Sequence, residues 1–204
     1  LLSKIEDNSI VFLFSGLEKS RNNDVNYKFR QSSNFYYLTG INNPSMLLII
    51  TKISSRHSTT LVCDRPNDID KIWHGQLPSK SSYKKEFEIQ NVLYFDELNS
   101  LELNDVKNMY FEFADENRLN QFIHNLNLSQ PQSRYLRNNT SRSTKIDLSN
   151  LIFDMRRIKS KSEVSLIRHA AKISANAHVN IMRSCKSGLK EYEVEADFIK
   201  HCMS

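Results

Sequence analysis

The chain is poor in the residues that build ready-made binding loops. It has four glycines, Gly16, Gly40, Gly75 and Gly188, and they are widely scattered. No Gly-x-Gly-x-x-Gly or P-loop can form from that spacing, and no Gly-x-Ser-x-Gly elbow or His-Glu-x-x-His helix occurs, which sets aside the phosphate-cradle, serine-hydrolase and zincin readings. Three cysteines, Cys63, Cys185 and Cys202, lie far apart, against both a disulfide framework and a cysteine zinc site. A reducing cytoplasm is the simplest setting for them. Apolar runs are short. Met46-Leu47-Leu48-Ile49-Ile50 is among the longest, far below what a bilayer needs, and no basic-then-apolar signal opens the chain, so no membrane partner is expected. The chain begins Leu1-Leu2-Ser3 instead of with methionine, from which we expect residues ahead of Leu1 to be missing.

What is present describes an ordinary globular protein. Its 204 residues suit one or two domains, with 39% hydrophobic and 25% charged side chains. The net charge of +5 is uneven: residues 151–204 carry 10 basic and 6 acidic side chains, against 18 and 17 in residues 1–150. A basic patch can attract nucleic acid. The aromatics cluster in apolar runs and do not interleave with the basic residues as a stacking platform requires, so solvated helix faces are the preferred reading and no nucleic-acid partner is expected.

Strand-like runs recur at residues 10–14, 35–38, 46–50, 59–63, 92–95 and 109–113. The central ones are continuously apolar, which predicts strands covered on both faces. Helical spacing appears at 83–89, 97–103 and 116–126, the last with Leu119, Phe122, Ile123 and Leu126 on one stripe. Strands alternating with helices predict an α/β fold with a mixed sheet. Residues 129–145 are polar and turn-rich and read as a loop, and a domain boundary is placed near residues 147–157, giving a first domain over 1–150 and a second over 151–204. Ser160-Lys161-Ser162-Glu163 is a capping box. It opens a helix with Val164, Ile167, Ala171, Ser174, His178 and Ile181 on one stripe and Gly188 where a C-terminal cap belongs, and a second helix starts near Glu191.

Few side chains stand out as chemistry. His169 and His178, nine residues apart, fall on opposite sides of a helix and cannot share a metal, and His178 reads as a packed histidine. Asp64, Asp68 and Asp70 follow a strand but lack the order of a calcium loop, so turn formation and capping are preferred. The glycines other than Gly188 read as turn residues with positive φ. Trp73, the single tryptophan, falls in Asp70-Lys71-Ile72-Trp73-His74-Gly75-Gln76-Leu77-Pro78. A large aromatic on such a loop either anchors a ligand or staples the loop to its own domain, and spacing alone favours the staple.

Four blocks, in order, resemble the Xaa-Pro aminopeptidases of the creatinase/prolidase family. Asn8-Ser9-Ile10-Val11-Phe12-Leu13-Phe14-Ser15-Gly16 followed by Arg21-Asn22-Asn23-Asp24-Val25 is similar to the opening strand and loop. Phe35-Tyr36-Tyr37-Leu38-Thr39-Gly40 through Pro44 to Leu48 resembles the segment that follows. Met155-Arg156-Arg157-Ile158-Lys159-Ser160-Lys161-Ser162-Glu163 resembles the hinge, and residues 167–178 the first helix of the catalytic domain. The resemblance implies a creatinase-type amino-terminal domain and the first two helices of a pita-bread domain. It implies an enzyme that removes the residue preceding a proline, using two divalent metals, usually manganese, held by two Asp, one His and two Glu. The family's aspartates stand eleven positions apart. No pair here does, so no catalytic or metal ligand can be assigned and this portion alone is expected to be inactive, serving assembly and pocket shape. Trp73, in Ile72-Trp73-His74-Gly75, is similar to the loop tryptophan that in bacterial members reaches a neighbouring subunit's active site. The resemblance therefore favours a substrate-binding role for it. Dimers or larger oligomers are expected. Two rival readings stand beside this one: prolidase, and a protein-binding module of the histone-chaperone type that has lost its metals.

Overall fold

The computed structural model describes residues 1–67, 72, 75, 78–100, 106–129 and 143–204. The chain divides into two compact units, Leu1–Met155 and Arg156–Ser204. No helix among the described residues is long and apolar enough to cross a membrane.

The first unit is built on a six-stranded sheet. Its strands are β1 (Ser9–Phe14), β4 (Leu47–Ile53), β5 (Arg56–Cys63), β6 (Asn91–Tyr94), β7 (Asn108–Phe111) and β8 (Thr144–Asp147), in the order β6-β5-β4-β1-β7-β8. A separate two-stranded ribbon holds β2 (Ser20–Asn22) and β3 (Val25–Asn26). The sheet is mixed. β4 runs antiparallel to β1 and β5, with Leu13 opposite Leu48 and Leu48 opposite Leu61, while the β1–β7, β7–β8 and β5–β6 pairs are parallel.

Because side chains alternate along a strand, the continuous apolar runs fill two cores at once. Val11, Leu13, Leu48, Ile50, Leu61 and Tyr110 join one cluster, with Phe35, Tyr83 and Ile152 from the covering helices α1 (Ser33–Thr39), α2 (Lys80–Glu86) and α4 (Ser149–Arg157). Ile10, Phe12, Phe14, Leu47, Ile49, Val62 and Phe111 join the other, with Leu119 and Phe122 of α3 (Glu116–Ser129). Phe12 and Phe122 meet there with ring centroids 5.7 Å apart.

Several local expectations are corrected. Residues 35–38 form helix α1, not a strand. The Ser32 hydroxyl accepts from the Phe35 N–H at the N-cap, and Gly40, at φ 72, donates its N–H to Tyr36 and closes the helix. Both caps favour a helical turn, and burying Phe35 completely overrides the β preference of an aromatic run. Gly16 is not a positive-φ glycine: a Cβ there would lie 2.9 Å from the Arg30 carbonyl oxygen, so close approach excludes any side chain. Residues 95–100 form a 3-10 helix in place of the start of an α-helix, and residues 101–103 lie outside the described residues. Most of the expected loop at 129–145 also lies outside them, while Thr144–Asp147 is a strand.

In the second unit, α5 (Lys161–Ser184) opens on the capping box. The Ser160 N–H donates to Glu163 at 2.8 Å, and the Glu163 N–H donates to the Ser160 hydroxyl at 3.3 Å. The helix ends at Ser184 because Cys185 is extended, so Gly188, at φ 98, belongs to the following turn and not to the cap. Helix α6 (Glu191–Met203) packs on α5 through the His178–Phe198 ring contact, at 4.8 Å between centroids, and through the Ser184 hydroxyl donating to Asp197. His178 makes this ring contact but remains exposed. Val164 and Ile167 of the stripe remain exposed, and Ala177 is buried.

Candidate functional site

One concavity of the first unit lies where β5 and β6 end. These strands are parallel, with Cys63 opposite Tyr94, so both deliver their carboxyl ends to one edge. A cleft of about 280 Å³ opens there, walled by Cys63 and Asp64, Pro66 and Pro78, Lys80 and Tyr83, Tyr94, and residues 43–46. Crevices beyond the carboxyl ends of strands are where open α/β sheets place their ligands.

The wall formed by residues 43–46 is held by a buried amide. Gln31 accepts from the Gly16 N–H at 2.6 Å and donates to the carbonyls of Ile41 and Asn43 at 3.1 and 2.8 Å. The Ser15 hydroxyl accepts from the Met46 N–H at 2.7 Å. The Gly16 backbone can approach this hub because it carries no side chain.

Lys80 and Tyr94 of the lining belong to a charged cluster that extends past the cleft to Arg65, Asp96 and Glu97. Arg65 grips Asp96 with two nitrogens, at 2.9 and 3.2 Å, and also reaches Glu97 at 3.2 Å. Lys80 forms an ion pair with the other oxygen of Glu97, which also accepts the Tyr94 N–H at 3.0 Å. The Lys80 hydrogen bond, then the backbone donor, hold the Glu97 carboxyl below the usual carboxylate range. Both cations approach the Tyr94 ring, the Arg65 guanidinium at 4.4 Å and the Lys80 ammonium at 4.0 Å from its centroid.

At the floor, burial pushes the Cys63 thiol up to about 11 and raises the Tyr83 phenol. Tyr83 is 2% exposed, and its hydroxyl finds no hydrogen-bond partner among the described residues. Neither group is a nucleophile in this setting, since a thiol reacts as its thiolate. The site offers shape, ion pairs and aromatic surface.

Asp64, read from the sequence as a turn or capping residue, stands on the cleft wall. Trp73, Asp68 and Asp70 lie outside the described residues. Among the described residues no group of three or more His, Cys, Asp or Glu could hold a metal ion. Sequence reasoning missed Arg65, Lys80, Tyr94 and Glu97. A signal existed: a cation stands on either side of the Trp73 segment, and an acidic pair follows Tyr94 closely.

A mixed sheet covered on both faces, with helices between its strands, defines an α/β domain. The family model of the aminopeptidase P N-terminal domain matches residues 1–109, and the chain belongs to that family. Among curated relatives, it is 28% identical to the Xaa-Pro aminopeptidase of Escherichia coli (strain K12) over 97% of this chain and 45% of the relative. It is also 28% identical to the Xaa-Pro dipeptidase of Homo sapiens, over 98% of this chain and 39% of the relative. Among solved structures, E. coli aminopeptidase P in its low-pH form superposes with a TM-score of 0.85 at 25% identity, over 97% of this chain and 46% of that one. Proline aminopeptidase P II from Yersinia pestis gives 0.85 at 26% identity, over 99% and 47%. The chain spans about half the length of the relatives it matches.

Proposed function

We propose that this chain is the non-catalytic amino-terminal portion of a metal-dependent Xaa-Pro aminopeptidase, which removes the residue preceding proline. The observation that carries this reading is the likeness to aminopeptidase P over nearly the whole chain, at a TM-score of 0.85. The portion serves oligomer assembly and shapes the substrate pocket. Trp73 is its substrate-binding residue, supplying rigid apolar surface to a proline ring. Two divalent metals, manganese by family habit, belong to the remainder of the enzyme, which works in the cytoplasm. The apolar residues left exposed on α5, among them Val164 and Ile167, support association.

The test is hydrolysis of Xaa-Pro peptides with added manganese, by the 204-residue chain and by the full-length protein. Activity confined to the full-length protein is expected. Activity in neither favours the histone-chaperone type of binding module. In the full-length enzyme Trp73→Ala is expected to raise KM or lower kcat without unfolding, and unchanged kinetics would refute the role given to Trp73. The equal identity to a dipeptidase keeps prolidase as the second reading. Cleavage of Xaa-Pro dipeptides in preference to longer peptides would select it.

A further inference from the structure

The connection between β5 and α2 carries Trp73, and its two ends meet the same partners. At the outgoing end, the Cys63–Tyr94 register puts Arg65 just past the strand, within reach of the Tyr94 ring, Asp96 and Glu97. At the returning end, the Ser79 hydroxyl accepts from the Ser82 N–H at 3.2 Å and caps α2, which makes Lys80 its first residue. A cation at a helix N-terminus opposes the helix dipole, and α2 has no acidic residue in its first turn. Helix stability therefore does not explain Lys80. Its partners do: it pairs with Glu97 and lies over Tyr94, the two groups that also receive Arg65.

We infer that Glu97 and Tyr94 form a shared anchor that ties both ends of the Trp73-bearing connection to one point at the end of β6. Glu97 divides its carboxylate between them, one oxygen to Arg65 and the other to Lys80, and the Tyr94 N–H fixes that second oxygen. Exposed ion pairs taken singly contribute little. Convergence on one carboxylate and one ring changes the consequence, because losing either group weakens the hold on both ends together, while Arg65 keeps its pair with Asp96. Pinning the ends also lowers the entropy cost of closing the connection. Glu97 and Tyr94 are thus positioning residues, which act through the segment they hold.

Amide exchange read by mass spectrometry on the full 204-residue chain tests the anchor, using Glu97→Gln and Tyr94→Leu. Peptides over residues 64–67 and 78–82 report the two ends, and a peptide over β4 serves as internal reference. Both ends are expected to exchange roughly 1.5- to fivefold faster in each variant, the span that weak exposed pairs allow, with β4 unchanged. Acceleration at one end alone, or at neither, overturns the inference, since the ion pairs would then be independent.

The consequence for catalysis rests on the substrate-binding role proposed for Trp73. In the full-length enzyme, Glu97→Gln should raise KM for an Xaa-Pro peptide with kcat nearly unchanged. Combined with Trp73→Ala it should add nothing further, because both act through one segment. If both ends loosen while Trp73→Ala is kinetically silent, the anchor stands and the role of Trp73 falls. If Trp73→Ala impairs the enzyme and Glu97→Gln leaves KM alone, the positioning role is overturned.

Discussion

Residues 1–155 and 156–204 spend their apolar side chains differently. In the first unit, strands β1, β4 and β5 send alternate residues into two separate cores, and Phe12, Leu13, Leu47 and Leu61 are almost wholly buried. In the second, α5 is longer than any strand and well capped, yet Ile167 is 54% exposed while Ala177 is buried. An apolar stripe at helical spacing records which residues favour burial. It does not say what covers them.

The widest separation between the units should come from truncating one side chain in each. Phe12→Ala is expected to cost about 3–5 kcal/mol, because it empties space between the sheet and α3. Ile167→Ala should stay within about 0.5 kcal/mol, as exposed substitutions do. Denaturant melts of the two variants check this, and equal losses would show that Ile167 is covered in solution.

A smaller effect should follow Ser160→Ala, which removes the N-cap of α5 and is expected to cost that helix about 1 kcal/mol, seen in helical circular dichroism and melting. The cap has a pH signature. Hydrogen bonds from Ser160 hold the Glu163 carboxyl below its ordinary value. The group therefore adds stability above the ordinary carboxylate pKa, and that stability is lost as pH falls through the lowered value. Acid should fray α5 in the parent and change the Ser160→Ala variant less.

The smallest effect is a difference in reactivity. Cys185 and Cys202 are exposed and Cys63 is buried. A thiol reagent at pH 8 should label two cysteines quickly and the third upon unfolding. Burial raises the Cys63 thiol to about 11. The sign is that of a raised acid: its contribution to stability is complete below the ordinary thiol pKa and is lost as pH rises toward 11. Rapid labelling of all three in the folded protein would contradict the burial.

The contrast also separates what was legible in the residues from what was not. The runs of β1, β4, β5 and β7, the stripe of α3 and the Ser160–Glu163 box were readable, because period and capping are local properties of the chain. The helix at residues 33–39 was misread because aromatic residues favour strands in general, while Ser32 and Gly40 and the burial of Phe35 decide otherwise here. β8, at Thr144–Asp147, was missed because an edge strand that is half exposed carries little apolar signal. The charges around the Trp73 segment and after Tyr94 were visible in the residues, but the meeting of Arg65, Lys80, Tyr94 and Glu97 was not. It needs β5 and β6 to lie parallel with Cys63 opposite Tyr94, and no local pattern encodes that register.

The sequence by itself determined the α/β class, the family likeness and the capped helix near the end, since these depend on the order and spacing of side chains within short windows. The tertiary structure decided which ends of which strands meet, that Gly16 must lack a side chain, and that one carboxylate serves both ends of a connection. Those outcomes come from long-range strand pairing, whose partners are set by how two cores fill on opposite faces of one sheet.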